Sequence, residues 1–191
     1  MPNLIPDVVP KGTMAATPQP RLGAGETFLL RAWEPDDVPA VVAAYADPDI
    51  QHWHLESKDS TEAADWIARG KLTWQNETDA SWAVTDAASG TVLGRIGLRE
   101  MHLDEGRGEV AYWMLPAARG RGAATSAVEA ITRWAFDDLG LHRLDLLHSA
   151  RNAASCRVAT KTGFELEGVM RQLLLHADGW HDMHLHGRLR S

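Results

Sequence analysis

Two short polar segments carry the residues whose types and spacing could do chemistry. The first is the glycine-rich segment 119–125, Arg-Gly-Arg-Gly-Ala-Ala-Thr, which lies between a strand-like run and a helix-like run. Its small side chains leave the backbone N–H groups accessible, and the free N–H groups at the start of a helix add to them. The segment therefore predicts an anion site, with phosphate as the expected ligand. The second segment holds Asn152 and Ser155, an amide and a hydroxyl three residues apart.

The glycine-rich segment has two other interpretations. A tight connection between a strand and a helix needs the same small residues without any ligand. A P-loop needs a Lys-Ser/Thr pair directly after its last glycine, to reach phosphate and metal, and Ala123-Ala124 occupy those positions. The sequence therefore disfavours a P-loop and leaves the plain connection as the alternative.

The order of the two segments resembles a known family. Arg119-x-x-Gly122-x-Ala124 is similar to the Q/R-x-x-G-x-G/A pyrophosphate signature of the GNAT superfamily of N-acetyltransferases. Asn152-x-x-Ser155, followed by the segment Lys-x-Gly-Phe-x-x-Glu-Gly at 161–168, resembles its second signature. The resemblance covers residues 26–190.

One branch of the superfamily resembles this chain most. The segment Tyr-Trp-Met-Leu-Pro at 112–116, Arg171 and the segment Gly179-x-His181-Asp182 look like the branch of the ribosomal-protein N-terminal (alanine/serine) acetyltransferases. The resemblance implies an acetyl-CoA-dependent N-acetyltransferase that moves an acyl group to a primary amine by direct transfer in a ternary complex. The expected acceptor is a protein or peptide N-terminus or a small amine, and a larger acyl group such as succinyl stays open. The alternative is a CoA-binding sensor or interaction module on the same fold, without catalysis.

The resemblance also implies where the co-substrate lies. The pantetheine arm is expected to pair with the backbone of residues 113–115, and the 119–125 loop is expected to hold the pyrophosphate. The implied cofactor-binding residues are Trp113, Met114, Leu115, Arg119, Gly120, Arg121, Gly122, Ala123, Ala124, Thr125, Asn152 and Ser155. A backbone N–H near Met114 or Leu115 is the expected oxyanion donor.

Acyl transfer from a thioester to an amine needs a base for the amine. Glu109 is the candidate, because by resemblance it lies near the position of the catalytic glutamate in several members of the superfamily. The competing interpretation is a strand-edge glutamate that lies in solvent or pairs with Arg107. The rival bases are Glu100, Glu105 and His148.

The leaving thiolate needs a hydrogen bond or a proton. Some relatives use a tyrosine on the helix after the asparagine, but the only tyrosines are Tyr45 and Tyr112, and neither lies there. By resemblance Ser155 takes this role, and Asn152 binds pantetheine or the acceptor. The same pair also suits a helix cap. A packing role is expected for Cys156 rather than a nucleophilic one.

His181, His184 and His186 raise the question of a metal. His184 and His186 share one face of a strand, and His176 approaches across a hairpin. Because no cysteine accompanies them in the sequence, and His181 has a place in the family-like pattern, we predict no metal site.

Hydrophobic periodicity and turn residues predict the elements that position these groups. The predicted strands are 28–33, 82–85, 91–99, 109–115, 144–147, 169–176 and 180–189, and the predicted helices are 35–46, 60–74, 123–139 and 153–162. A helix-connecting loop with Asp49, His52, Trp53 and His54 joins the first two helices and offers an acceptor surface. We predict an α/β (α+β) fold, a mixed, mostly antiparallel twisted sheet of about seven strands with about four helices on both faces. The resemblance adds that the sheet is splayed at its centre.

Composition limits the organisation and the partners. The chain has 191 residues, enough for one domain, and residues 1–25 carry five prolines, so we predict an extended, partly disordered tail before a domain at 26–191. A net charge of -7 works against nucleic acid, and no apolar run reaches the length of a membrane span. One cysteine suits the reducing cytoplasm. The exposed hairpin and the Trp-rich segments favour a homodimer.

Overall fold

The computed structural model describes residues 4–191, which form an eight-stranded sheet with five α-helices. In chain order the elements are β1 (Leu22–Ala24), β2 (Phe28–Ala32), α1 (Val38–Ala46), α2 (Pro48–His54), α3 (Ser60–Gln75), β3 (Ala80–Asp86), β4 (Val92–His102), β5 (Arg107–Met114), α4 (Ala123–Arg133), β6 (Arg143–Ser149), α5 (Ala153–Lys161), β7 (Glu165–His176) and β8 (Gly179–Leu189). A π-helical segment, Trp134–Leu139, extends α4.

The sheet has the strand order β1-β2-β3-β4-β5-β6-β8-β7. Neighbouring strands are antiparallel except for β5 and β6, which are parallel. The pairing of β5 with β6 ends at Glu109 and Asp145, although β5 continues to Met114 and β6 to Ser149. The two strands therefore separate at the centre of the sheet, and the predicted splay is confirmed.

Side-chain alternation along the strands sends apolar residues to both faces of the sheet. On β3, Trp82 packs in the larger core with α4 and α5, whereas Ala83 faces a smaller core with α1, α2 and α3. In the larger core the rings of Trp82 and Trp134 meet edge to face, with their centroids 5.0 Å apart. Helices cover both faces, as the sequence predicts.

The predicted strands and helices are confirmed as elements, and two short ones are additional. Residues 48–54 form the helix α2 rather than a connecting loop, because Asp47 caps its start and accepts a hydrogen bond from Ile50 N at 3.0 Å. The strand β1 has three residues, too few for periodicity to show. On the predicted helix 123–139, Ala123 and Ala127 enter the core, whereas Ala124 is half-buried.

The prediction of an unpacked tail is wrong over much of residues 4–25, and residues 1–3 lie outside the described residues. Val9 and Met14 are buried in the larger core, and β1 begins at Leu22, before the predicted boundary at residue 26. Glu77 holds this segment, because its carboxylate accepts hydrogen bonds from the backbone N–H groups of Gly12 (2.6 Å) and Met14 (2.6 Å). A carboxylate more than 60 residues away is not visible to local periodicity.

Glu77 gives the fold a test in its acid stability. Burial alone would raise its pKa, but the backbone donors of the N-terminal segment hold the pKa below its usual range. A carboxyl with a depressed pKa in the folded state stabilises the protein above its unfolded pKa, and the contribution disappears as the pH falls through the folded pKa. We expect Glu77→Gln to lower the free energy of unfolding at neutral pH by about 1–3 kcal/mol, with a smaller loss in acid.

Urea unfolding of the wild type and the variant across the acid range measures this difference. Glu129→Gln is the control, because Glu129 is exposed on α4. Equal stability losses for Glu77→Gln at neutral and strongly acid pH would contradict the ionic role of this carboxylate.

Candidate active site

The gap between the separating ends of β5 and β6 opens into a cleft of about 730 Å³, a volume typical of small-molecule sites. Its walls come from α2, the ends of β5 and β6, the loop before α4, and α5. Ten of the twelve predicted cofactor-binding residues line it, namely Trp113, Met114, Arg119, Gly120, Gly122, Ala123, Ala124, Thr125, Asn152 and Ser155. Leu115 and Arg121 lie outside the lining.

The loop before α4 presents free backbone donors to this cleft. Gly120 and Gly122 have φ angles of 74° and 82°, a left-handed conformation that glycine adopts without steric cost. Within residues 4–191, the N–H groups of residues 120–124 donate to no acceptor, and no side chain caps the helix at Gly122. Several N–H groups and the positive end of the helix dipole therefore meet at one wall of the cleft, as an anion site requires.

The two arginines of the loop are already paired with carboxylates. The Arg119 guanidinium lies 2.6 Å from Asp47 and 2.6 Å from Asp49, so it ties the loop to the start of α2. Arg121 lies 3.5 Å from Asp86, on the strand side of the loop. The backbone N–H groups of the loop are therefore better placed to bind an anion than the side chains of Arg119 and Arg121.

The end of β5 exposes backbone groups toward the gap. Leu115 N–H donates to the carbonyl oxygen of Leu93 at 2.9 Å, so this N–H belongs to the ladder with β4. Backbone groups alternate in direction along an antiparallel strand, so those of Met114 point to the opposite side, where β6 has separated. Of the two backbone donors predicted for the oxyanion, the structure leaves Met114 free and engages Leu115.

Ser155 and Asn152 lie at the start of α5, where that helix meets the cleft. The side-chain oxygen of Asn152, Oδ1, accepts a hydrogen bond from Ser155 N–H at 3.0 Å, so Asn152 is the N-cap of α5. The Tyr112 side chain reaches across from β5 and lies beside Ser155. Burial raises the pKa of the Tyr112 phenol to about 12, and the nearby Ser155 hydroxyl offsets part of that rise. The phenol is therefore protonated at neutral pH.

Glu109 lines the cleft at the point where β5 and β6 separate. Its carboxylate pairs with Arg99, with 2.6 Å between Arg99 Nη2 and Glu109 Oε1, and Arg107 pairs with Glu105 instead. Burial raises the pKa of Glu109 above its usual range, although Arg99 opposes the rise.

Two of the rival bases lie elsewhere. Glu100 and Glu105 are exposed outside the lining of the cleft. His148 does line it, but its Nε2 lies 3.1 Å from Nε2 of His186.

The predicted acceptor surface divides into two parts. Asp49, Trp53 and His54 line the cleft, whereas His52 packs on the β7–β8 hairpin, where its carbonyl oxygen lies 3.1 Å from His176 Nδ1. Burial, reinforced by the charges of nearby arginines, lowers the pKa of His54 to about 4. The His54 ring is therefore neutral at physiological pH.

The predicted histidine group also separates into two clusters. His181 is fully buried, with Nδ1 2.9 Å from Ser149 Oγ and Nε2 2.8 Å from Asp178, and His176 stacks on it with ring centroids 4.1 Å apart. His184 and His186 face the opposite direction, toward β6 and α5. Neither His176 nor His181 joins them, because the register of the hairpin places these two rings beside α2.

Three residues with functional side chains line the cleft without a role predicted from the sequence. Tyr112 reaches it from β5, where only its aromatic and titratable nature could have marked it. Arg157 and Lys161 lie one turn apart on α5 and contribute positive charge. Their i, i+4 spacing on the helix after Ser155 was the one signal available from sequence.

Comparisons with known proteins agree with this geometry. Residues 27–165 match the family described as the acetyltransferase (GNAT) domain. The chain therefore belongs to the GNAT family of N-acetyltransferases.

One curated protein and two solved structures are among those similar to the chain. An uncharacterized N-acetyltransferase from Bacillus subtilis, YoaA, is 26% identical over 151 residues, which are 78% of this chain and 85% of that protein. A GNAT acetyltransferase from Bacillus anthracis has the same fold, with a TM-score of 0.79 and 21% identity over 90% of this chain and 99% of that one. RimL, a ribosomal L7/L12 α-N-protein acetyltransferase solved with coenzyme A, has a TM-score of 0.82. It is 18% identical, and the match covers 89% of this chain and 98% of that one.

Across residues 4–191, no helix combines the length and the apolar composition that crossing a bilayer requires.

Proposed function

We propose that this chain transfers an acetyl group from acetyl-CoA to a primary amine, directly and in a ternary complex. The observation that carries the proposal is one cleft that contains free backbone donors at 120–124, open strand edges, a protonated phenol with a hydroxyl, and a carboxylate with a raised pKa. RimL binds coenzyme A on the same fold, which supports the choice of co-substrate.

The diphosphate is assigned to the loop before α4, with Thr125 and the first turn of that helix. The amide-rich pantetheine arm is assigned to the edge of β5 that β6 leaves open, where it lies as an added strand would. Arg157 and Lys161 supply positive charge for the remaining phosphates. The thioester then lies at the inner end of the cleft, between β5 and the start of α5.

The amine nitrogen attacks the thioester carbon, and the carbonyl oxygen becomes an oxyanion. Met114 N–H is the proposed donor to this oxyanion. Glu109 accepts the proton that the amine gives up, directly or through one water, and its raised pKa brings it closer to the pH at which it works.

The C–S bond then breaks and leaves a thiolate. Tyr112 and Ser155 are the proposed donors to this sulfur, and the phenol is the stronger acid of the two. Asn152 positions Ser155 by capping α5.

The acceptor class is proposed from the carboxylates of the cleft. Asp49, Glu56 and Glu109 lie along its wall on the side of α2 and β5, and each is paired with a basic side chain. Their oxygens can accept further hydrogen bonds from an ammonium group before it loses its proton. A protein or peptide N-terminus or a small amine fits, and the cytoplasm, where acetyl-CoA and a free cysteine coexist, is the proposed location.

The direct test measures binding and turnover in sequence. We expect acetyl-CoA, but not ATP, to raise the midpoint of thermal unfolding, and a mixture of amines and N-terminal peptides to release free thiol from acetyl-CoA. Stabilisation by CoA without thiol release for any amine would favour a non-catalytic sensor. Stabilisation by ATP alone would contradict both interpretations.

The two proposed thiolate donors give a mutational prediction. We expect Tyr112→Phe and Ser155→Ala each to lower kcat by about 10²-fold, because each removes a donor whose bond strengthens as the C–S bond breaks. Their affinity for CoA should change little. Thiol release and calorimetric titration with CoA measure the two quantities.

Tyr45→Phe is the matched control, since Tyr45 is buried in the smaller core outside the cleft. If Tyr112→Phe or Ser155→Ala keeps the wild-type kcat, the substituted residue does not donate to the leaving thiolate.

Glu109 gives a prediction in pH. A base must be deprotonated to act, so kcat/KM should fall as the pH drops through the raised pKa of Glu109. Glu109→Gln should lower kcat/KM and flatten this acid limb. Glu105→Gln is the control, because Glu105 pairs with Arg107 on the surface. An unchanged acid limb in Glu109→Gln would assign the base elsewhere.

We also propose that β7 joins two copies of the chain. It is an edge strand whose exposed side chains are largely apolar, including Leu166, Val169, Met170 and Leu173, each 38–54% exposed. A long apolar edge favours association. We expect a dimer by sedimentation velocity that Val169→Glu dissociates and Leu72→Glu, on exposed α3, does not. A wild-type monomer at high concentration would contradict the dimer.

A further inference from the structure

Four metal-binding side chains meet behind the inner wall of the cleft. They are His148 on β6, Cys156 on α5, and His184 and His186 on β8, and one ligand atom from each lies within 4.8 Å of the other three. His148 and His186 are buried, and the other two are half-buried. From sequence we expected a packing role for Cys156 and no cysteine beside the histidines. In the structure α5 folds back over the sheet and brings Cys156 to His148, His184 and His186.

The hydrogen bonds of two rings fix where their lone pairs point. His148 Nδ1 lies 2.8 Å from the carbonyl oxygen of Ser149, and His186 Nδ1 lies 3.3 Å from that of Phe164. A carbonyl oxygen only accepts, so both Nδ1 atoms carry the proton. In the neutral rings both Nε2 atoms are therefore unprotonated, and their lone pairs face each other at 3.1 Å.

Two facing lone pairs at this distance repel unless a cation lies between them. In a tetrahedral zinc site, metal–nitrogen distances of about 2.0–2.1 Å place two ligand nitrogens about 3.3 Å apart, close to the spacing found here. Metal-bound histidines also commonly donate their second ring N–H to a backbone carbonyl, as both rings do.

His184 and Cys156 supply the other two of the four ligand atoms. Nδ1 of His184 is buried and has no partner within residues 4–191. The His184 ring lies 5.4 Å from that of His148, centroid to centroid. Cys156 follows Ser155 directly and is a free cysteine. A movement of about an ångström by these two side chains brings their ligand atoms to bonding distance of a shared ion.

We propose that His148, Cys156, His184 and His186 bind one divalent transition-metal ion, of which zinc fits best. Three imidazoles and one thiolate suit a borderline-soft ion with tetrahedral geometry. Four protein ligands leave no position for substrate, so the site is structural. The ion links the first turn of α5 to β6 and β8, and it holds Ser155 against the cleft.

The probes are Zn²⁺ and Co²⁺ on the full chain, with any purification tag removed and bound metal stripped with a chelator. Metal content is measured before stripping. We expect about one equivalent of metal per chain in the purified protein, a higher midpoint of unfolding on Zn²⁺ addition, and with Co²⁺ the visible bands of a tetrahedral site plus a thiolate-to-cobalt charge-transfer band.

Two ligand variants and one control assign the site. Cys156→Ser should abolish the charge-transfer band, and His184→Gln should lower the affinity for both ions. His142→Gln, an exposed histidine outside the cluster, should change neither. Circular dichroism of the metal-free variants confirms that they fold.

Three outcomes would overturn the site. The first is a stripped wild type that shows no tetrahedral Co²⁺ bands. The second is Zn²⁺ with no effect on unfolding, which would mean that a shared proton separates the two Nε2 atoms. The third is binding that survives in both ligand variants, which would place the ion elsewhere. Because none of these readouts uses acetyl transfer, they stand or fall independently of the proposed activity.

Discussion

The separation of β5 from β6 is the constraint on which the rest of this structure depends. Each strand is paired on its outer side, β5 with β4 and β6 with β8, and they share only three residue pairs before they diverge. Beyond Glu109 and Asp145 the backbone groups on the facing edges of β5 and β6 no longer form hydrogen bonds with each other. Buried backbone donors and acceptors are seldom left unpaired, so this gap favours a ligand that carries amides of its own.

The helix starts around the cleft are consistent with this account. Side chains cap α2, α3 and α5, through Asp47, Asp59 and Asn152. The start of α4 has Gly122 at that position, without a side-chain cap and with a left-handed backbone. The start of α4 therefore offers its N–H groups to the cleft, whereas side chains satisfy N–H groups at the starts of α2, α3 and α5. This arrangement is expected for a helix that binds an anion.

Local patterns were enough to predict most of the architecture. The strands β3 to β5, the helix α4 and the hairpin of β7 and β8 each depend on residues close in sequence, and these elements formed as predicted. The three-residue β1 and the seven-residue α2 are too short for such a signal. The packing of Val9 and Met14 depends on Glu77, far along the chain, and no local pattern carries that information.

The parts of the site that have a local sequence pattern could be predicted in the same way, and the parts that depend on tertiary packing could not. The loop and the Asn152–Ser155 pair have a sequence pattern, so they could be assigned, and the structure brings them to one cleft. Tyr112 beside Ser155, and Cys156 among the histidines, depend on how β5, β8 and α5 come together in space. From sequence His181 was given a place in the family-like pattern rather than at a metal, and its neighbours Ser149 and Asp178 give it two hydrogen bonds within the protein.

A crystal structure with coenzyme A bound tests the central claim most directly. The account predicts the diphosphate within hydrogen-bonding distance of the N–H groups of residues 120–124, the pantetheine arm between β5 and β6, and the sulfur beside Tyr112 and Ser155. A diphosphate bound elsewhere, or a closed gap between the two strands, would contradict it.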